Sequence, residues 1–172
     1  MKSLFSLLLL GAALCGAAAE EVNLLKNADL AKKSGANPLF FQCVTAPGAL
    51  KILPGDGDSR ILSLTKTNDQ PCMVIQRNLP LDGEKSYLAS AEVRSSKEDS
   101  KCMIYVEWRT PLPDGKFRHQ SVNARPIEPG EEWEEILFEI PPRPADAEKP
   151  YLVFAVHAGS AEFRHLKVVS AE

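Results

Sequence analysis

No part of this 172-residue sequence is apolar for long enough to cross a bilayer. The one marked apolar run, Leu4 to Leu14, falls short of the ~20 residues a spanning helix requires. A basic patch is also missing. Lys and Arg number 20 against 23 Asp and Glu, which makes nucleic acid and anionic membrane surfaces poor partners. Histidine is scarce, and His119, His157 and His165 fall on separate segments with no metal-ligand spacing. The cysteines lack the close pairs of a zinc site. No Gly-x-Ser-x-Gly element marks a nucleophilic serine. Helical periodicity, internal repeats, heptads and low-complexity linkers are all absent, which excludes the alternating α/β classes and solenoids.

What the first residues do contain is a secretory pattern. Lys2 precedes the apolar run, and Gly16 to Ala19 supply small residues ahead of Glu20-Glu21. The expectation is a cleaved signal peptide over residues 1–19, ending at Ala17-Ala18-Ala19. Cys15 raises a lipoprotein alternative, which the bulky Leu14 before it disfavours. Residues 20–172 then form one domain of ordinary size, secreted or periplasmic and soluble after cleavage. Loss of Lys2 leaves 19 basic against 23 acidic residues, a formal charge of −4. In an oxidising compartment two of Cys43, Cys72 and Cys102 can pair, and the sequence leaves open which.

The mature chain reads as strands throughout. Short β-type runs at 40–45, 50–53, 60–65 and 72–79 are separated by turn sequences such as APGA and PGDGDS. In YLASAEVR, Tyr87, Ala89, Ala91 and Val93 share an apolar face opposite Leu88, Ser90, Glu92 and Arg94. Cys102, Ile104, Val106 and Trp108 alternate with Met103, Tyr105, Glu107 and Arg109. The Asp114-Gly115 turn leads to a polar strand from Phe117, expected at a sheet edge. Ile136, Phe138 and Ile140 form another core row before Pro141 and Pro142 stop pairing. YLVFAVH, apolar on both faces, predicts a central strand. Short strands with turn signals every ~8–12 residues predict an all-β sandwich or barrel.

Five motifs then occur in a familiar succession. NLLKNADL resembles an Asn-Leu-x-x-Asn-Gly-Asp-Phe-Glu opening, and YLASAEVRS, EWRTPLPDGK, GEEWEEILFEIPP and GSAEFRHLKVVSAE follow in order. Together they resemble the carbohydrate-binding modules of the galactose-binding-like superfamily, which implies a jelly-roll β-sandwich of two antiparallel sheets. The resemblance also implies an oligo- or polysaccharide ligand and no catalysis. Members often hold a structural calcium, but Leu30-Ala31 and Phe163-Arg164-His165 depart from the acidic positions, and Arg164 cannot be a calcium ligand. The expectation is therefore no metal and no cofactor. Trp133 stands where the family keeps a tryptophan, expected to pack between the sheets.

Sugars are held by aromatic faces and planar polar side chains, and the row Tyr105, Glu107 and Arg109 supplies both. If YLASAEVR and YLVFAVH share its sheet, Glu92, Arg94, Tyr151 and His157 join that face. Trp108 alternates onto the apolar face, which favours the core, while its place at the strand's end makes it a candidate for the rim. The ligand candidates are thus Tyr105, Glu107, Arg109, His157, Glu92 and Trp108. For the outward row the other role would be a solvated face of cross-strand ion pairs, each worth ~0.2–1 kcal/mol. A second function class, a cell-envelope structural or protein-interaction sandwich without a sugar site, fits the same strands.

Overall fold

A computed structural model describes residues 22–34, 37–44 and 49–171, so the expected signal peptide and Cys15 lie outside the described residues. Within them the chain forms twelve strands and no helix. β1 (Lys33–Ser34) and β2 (Asn37–Pro38) make a small hairpin. The remaining strands are β3 (Phe41–Cys43), β4 (Leu50–Pro54), β5 (Arg60–Thr65), β6 (Cys72–Gln76) and β7 (Tyr87–Arg94). They continue with β8 (Lys101–Pro111), β9 (Phe117–Val122), β10 (Glu134–Ile140), β11 (Tyr151–Ala158) and β12 (Ser160–Ser170). They build two five-stranded antiparallel sheets: a front sheet ordered β3-β6-β11-β8-β9 and a back sheet ordered β10-β7-β12-β5-β4. The architecture is the expected jelly-roll sandwich, with YLVFAVH at the centre of the front sheet and the polar strand β9 at its edge.

The alternation read from the sequence is what closes the sandwich. Ala89, Ala91 and Val93 of β7 face Ile104, Val106 and Trp108 of β8 across one continuous core. Phe154 of the front sheet meets Phe163 of the back sheet edge-on, with ring centroids 5.4 Å apart, an arrangement worth roughly 0.5–1.5 kcal/mol beyond the area buried. Cys102 lies wholly within this core as a free thiol, its pKa pushed up to about 12 by burial. It therefore joins neither of the two bridges that would involve it.

The opening motif is not a strand but a set of turns tied down by side chains. Asn23 donates to the Leu166 carbonyl and accepts from the amides of Leu25 and Val168. Gln76 pairs with both backbone groups of Lys26, and Asn27, at φ 56, bridges Lys32 and Leu39. Leu25 and Leu30 are thereby inserted into the core.

Two expectations fail. YLASAEVR joins the back sheet, flanked by β10 and β12, so Glu92 and Arg94 project from the opposite surface to Tyr105. Trp133 does not lie between the sheets. Glu134 pairs with Val93, so the preceding residue falls beside Arg94 on the outer side, and the guanidiniums of Arg94 and Arg164 sit 4.5 and 4.2 Å from its ring centroid.

Candidate functional site

In an antiparallel ladder, residues directly opposite one another project from the same face. The front sheet pairs Tyr151 with Glu107, Val153 with Tyr105 and Ala155 with Met103, while β9 sets His119 against Arg109 and Ser121 against Glu107. All these side chains project outward, away from the core. Along the middle of the face runs an apolar strip in which Ile75, Val153 and Ala155 are buried beneath Met73, Met103, Tyr105 and Tyr151. Ala155 is 0% exposed although it faces away from the core, because its short side chain is overhung by its longer neighbours.

At one end of the strip polar groups gather around Tyr151. Arg77 follows the inward-facing Gln76 and so points outward. Its Nη1 donates to the Tyr151 hydroxyl at 2.9 Å, its Nε to Gln42 Oε1 at 2.7 Å, and its guanidinium lies 4.8 Å from the Tyr151 ring centroid. Arg109 Nη1 donates to the same hydroxyl. Its guanidinium lies 3.7 Å from the Phe117 ring and 5.2 Å from the Tyr151 ring, and its Nε is buried without a hydrogen-bond partner. Glu107 Oε1 is 2.9 Å from His119 Nδ1. Burial, and then the charge of Glu107, hold the Tyr105 phenol above its ordinary pKa, so it stays a neutral hydrogen-bonding group.

Beside Arg77 a concavity is lined by Ser34, Pro38, Leu39, Phe40, Phe41 and Gln42. Phe40 stands at its edge, 51% exposed and in the left-handed backbone region at φ 72, a conformation that costs a bulky residue energy.

Of the sequence candidates, Tyr105, Glu107 and Arg109 share this outward face, as does Tyr151. His157 is on the same face, but six residues from Tyr151 along β11, ~20 Å away, next to a register shift. Trp108 is 2% exposed and turned into the core, out of a ligand's reach. Glu92 belongs to the back-sheet surface, where it bonds Arg164 and His165 at 2.7 and 2.9 Å. The hydrogen bond from His165 is the main reason its carboxyl is held below the ordinary range, with that from Arg164 adding to it against burial. Sequence reasoning missed Arg77, Gln42, His119 and Phe40. Extending the Cys72, Val74, Gln76 inward row by one residue would have found Arg77.

No protein-family model matches the chain, and no curated protein is significantly similar to it in sequence. Solved structures are similar in shape. The CBM22-1 xylan-binding domain of Xyn10C from Paenibacillus barcinonensis superposes with a TM-score of 0.65 at 11% identity, covering 91% of this chain and 99% of that one. The fold is that of the carbohydrate-binding modules. A family 61 module in complex with β-1,4-galactotriose gives the same module fold a TM-score of 0.56 at 15% identity, covering 87% and 99% of the two chains. Within the CBM22-1–GH10 chain of Clostridium thermocellum xylanase 10B, matched at a TM-score of 0.62 and 12% identity, the module fold accounts for 26% of the length.

Proposed function

We propose that the protein is a secreted, non-catalytic module that binds an oligo- or polysaccharide on the outer face of the front sheet. The observation that carries this reading is the composition of that face. An apolar strip capped by Tyr105 gives a sugar's C–H surface somewhere to rest, and Arg77, Arg109, Tyr151 and Glu107 provide directional partners for hydroxyls at one end. Sites for small ligands combine a mainly apolar lining with a few placed polar groups in this way. The fold supports the reading, since similar structures are a xylan-binding domain and a module holding a galactotriose.

Absence of catalysis is supported by the carboxylate inventory. The five strands of the front sheet carry one acidic residue, Glu107, whereas most glycosidases use two carboxyl groups ~5–10 Å apart. Secretion is supported by the charged, apolar and small-residue sequence over residues 1–19.

Affinity electrophoresis through gels containing xylan, galactan, pectin or mucin-type glycans tests the proposal. Retardation by at least one polysaccharide is expected, weakened in Tyr105→Ala. Free migration through all of them, together with a stable partner recovered from envelope extract, would transfer the protein to the protein-interaction class.

A further inference from the structure

The four arginines that lie against aromatic rings on the two outer surfaces are treated differently. On the back sheet, Arg94 is paired with Glu162 at 2.9 Å, and Arg164 with Glu92 and Asp56 at 2.7 and 3.0 Å. On the front sheet, Arg77 and Arg109 have no carboxylate within salt-bridge distance among the described residues. The acid nearest to them in register, Glu107, is engaged by His119. Both arginines instead donate to the same phenol oxygen, that of Tyr151. Two donors sharing one acceptor stand no more than ~6 Å apart, so two like charges are held together without a counterion.

The donor count sharpens this. A tyrosine hydroxyl carries an acceptor oxygen and one donor hydrogen. Arg77 and Arg109 both donate to this oxygen, so what the hydroxyl has left to offer is its hydrogen. Around Tyr151 there are thus an O–H and the remaining N–H groups of two guanidiniums. Each of these is a donor, and the one acceptor carboxylate among the described residues on this part of the face, Glu107 opposite Tyr151, is turned to His119. A neutral sugar hydroxyl both gives and accepts, whereas an oxyanion only accepts, and arginine forks suit planar oxyanions in particular.

The geometry points to an acidic glycan as the ligand class, with a sugar-borne oxyanion, a uronic acid carboxylate or a sulfate ester, seated among Arg77, Arg109 and Tyr151. Its ring would extend along the strip toward Tyr105, which lies two residues along β8 from Glu107, ~7 Å away. This inference rests on the proposed glycan-binding role of the same face.

The test compares retention of the full chain by polygalacturonate, its fully methyl-esterified form, dextran sulfate, dextran and poly-glutamate. At least one acidic polysaccharide is expected to bind about tenfold or more tightly than its uncharged counterpart, the worth of one hydrogen bond to a charged group. Arg77→Gln and Arg109→Gln should each abolish that preference while the melting temperature stays within a few degrees; Tyr151→Phe reports on the hydroxyl if Arg109→Gln does not fold. Carboxylate and sulfate sources are separated by which acidic polymer is retained. Equal retention of charged and uncharged forms would overturn the oxyanion site and leave glycan binding standing. Retention by poly-glutamate equal to that by the acidic polysaccharides would reduce the site to a general polyanion contact. Binding to none of these, nor to neutral xylan or galactan, would remove the glycan-binding role itself.

Discussion

Trp108 and Tyr105 lie three positions apart on β8, and the two-residue period of a strand sends them to opposite sides. The indole fills the core at 2% exposure, while the phenol lies half-buried over the outward strip. Truncation of the two should therefore separate stability from binding. Trp108→Ala is expected to cost about 3–5 kcal/mol, as for other large-to-small changes in a packed interior, measured by urea denaturation. Tyr105→Ala should cost much less and show its effect in polysaccharide retention. The sequence showed which way each side chain points but not that Trp108 is closed over. Alternation favoured the core for the indole while its place near a strand end left a rim open, and the tertiary packing around that end decides for the core.

At the scale of strands and turns, the Gly159 corner joining β11 to β12 has little latitude. Its φ is +63, and an added Cβ would lie 2.3 Å from Ser100 Oγ and 3.2 Å from the Ser100 backbone. Gly57 has a similar φ of +58 but open space around it. Gly159→Ala should accordingly destabilise by more than Gly57→Ala, which carries only the left-handed penalty of about 1–2 kcal/mol; paired thermal melts check the order.

Further along β12, the irregular residue His165 at φ 50 bonds Glu92. The Glu92 pKa is depressed in the folded state, so its contribution is present above its unfolded value near 4.5 and is lost as pH falls through the lower folded value. The stability difference between the wild-type chain and Glu92→Gln should hold steady above that pH and shrink below it, as read from denaturation midpoints across pH 2–7. Because Glu92 is partly exposed, the effect is expected to be small.

The strands themselves were legible in the sequence because alternation and Pro or Gly boundaries are local. Their assignment to sheets was not. β7 and β8 follow one another with the same apolar rhythm, yet the jelly-roll crossing puts them in different sheets. That choice rests on pairing with strands up to 83 residues away, such as Ser170 with Tyr87 and Tyr151 with Glu107. Alternation along one strand says which face a residue occupies and nothing of the sheet it joins, which is why Glu92 was placed beside Tyr105.

For the molecule as a whole, the sandwich presents two unlike surfaces with a core between them. The back-sheet surface is internally neutralised around Trp133, its arginines matched by Glu92, Glu162 and Asp56. The front-sheet surface leaves two arginines unmatched. Substitution on one side should leave the other unaffected, since distant sites without shared partners behave additively. Trp133→Ala is expected to bind polysaccharide as the wild-type chain does, with any loss confined to thermal stability; an equal loss of retention in Trp133→Ala and Tyr105→Ala would show that the binding surface had been assigned to the wrong sheet.

Asn23 and Leu24 are fastened to Leu166 and Val168, so the two extremities of the sandwich lie side by side. A circularly permuted chain, with these ends joined by a short linker and new termini opened at the exposed Asp114-Gly115 bend, would keep the existing strand pairings. It would also move the point of attachment for a fused enzyme or label to the bend between β8 and β9, beside the Phe117 ring that Arg109 covers.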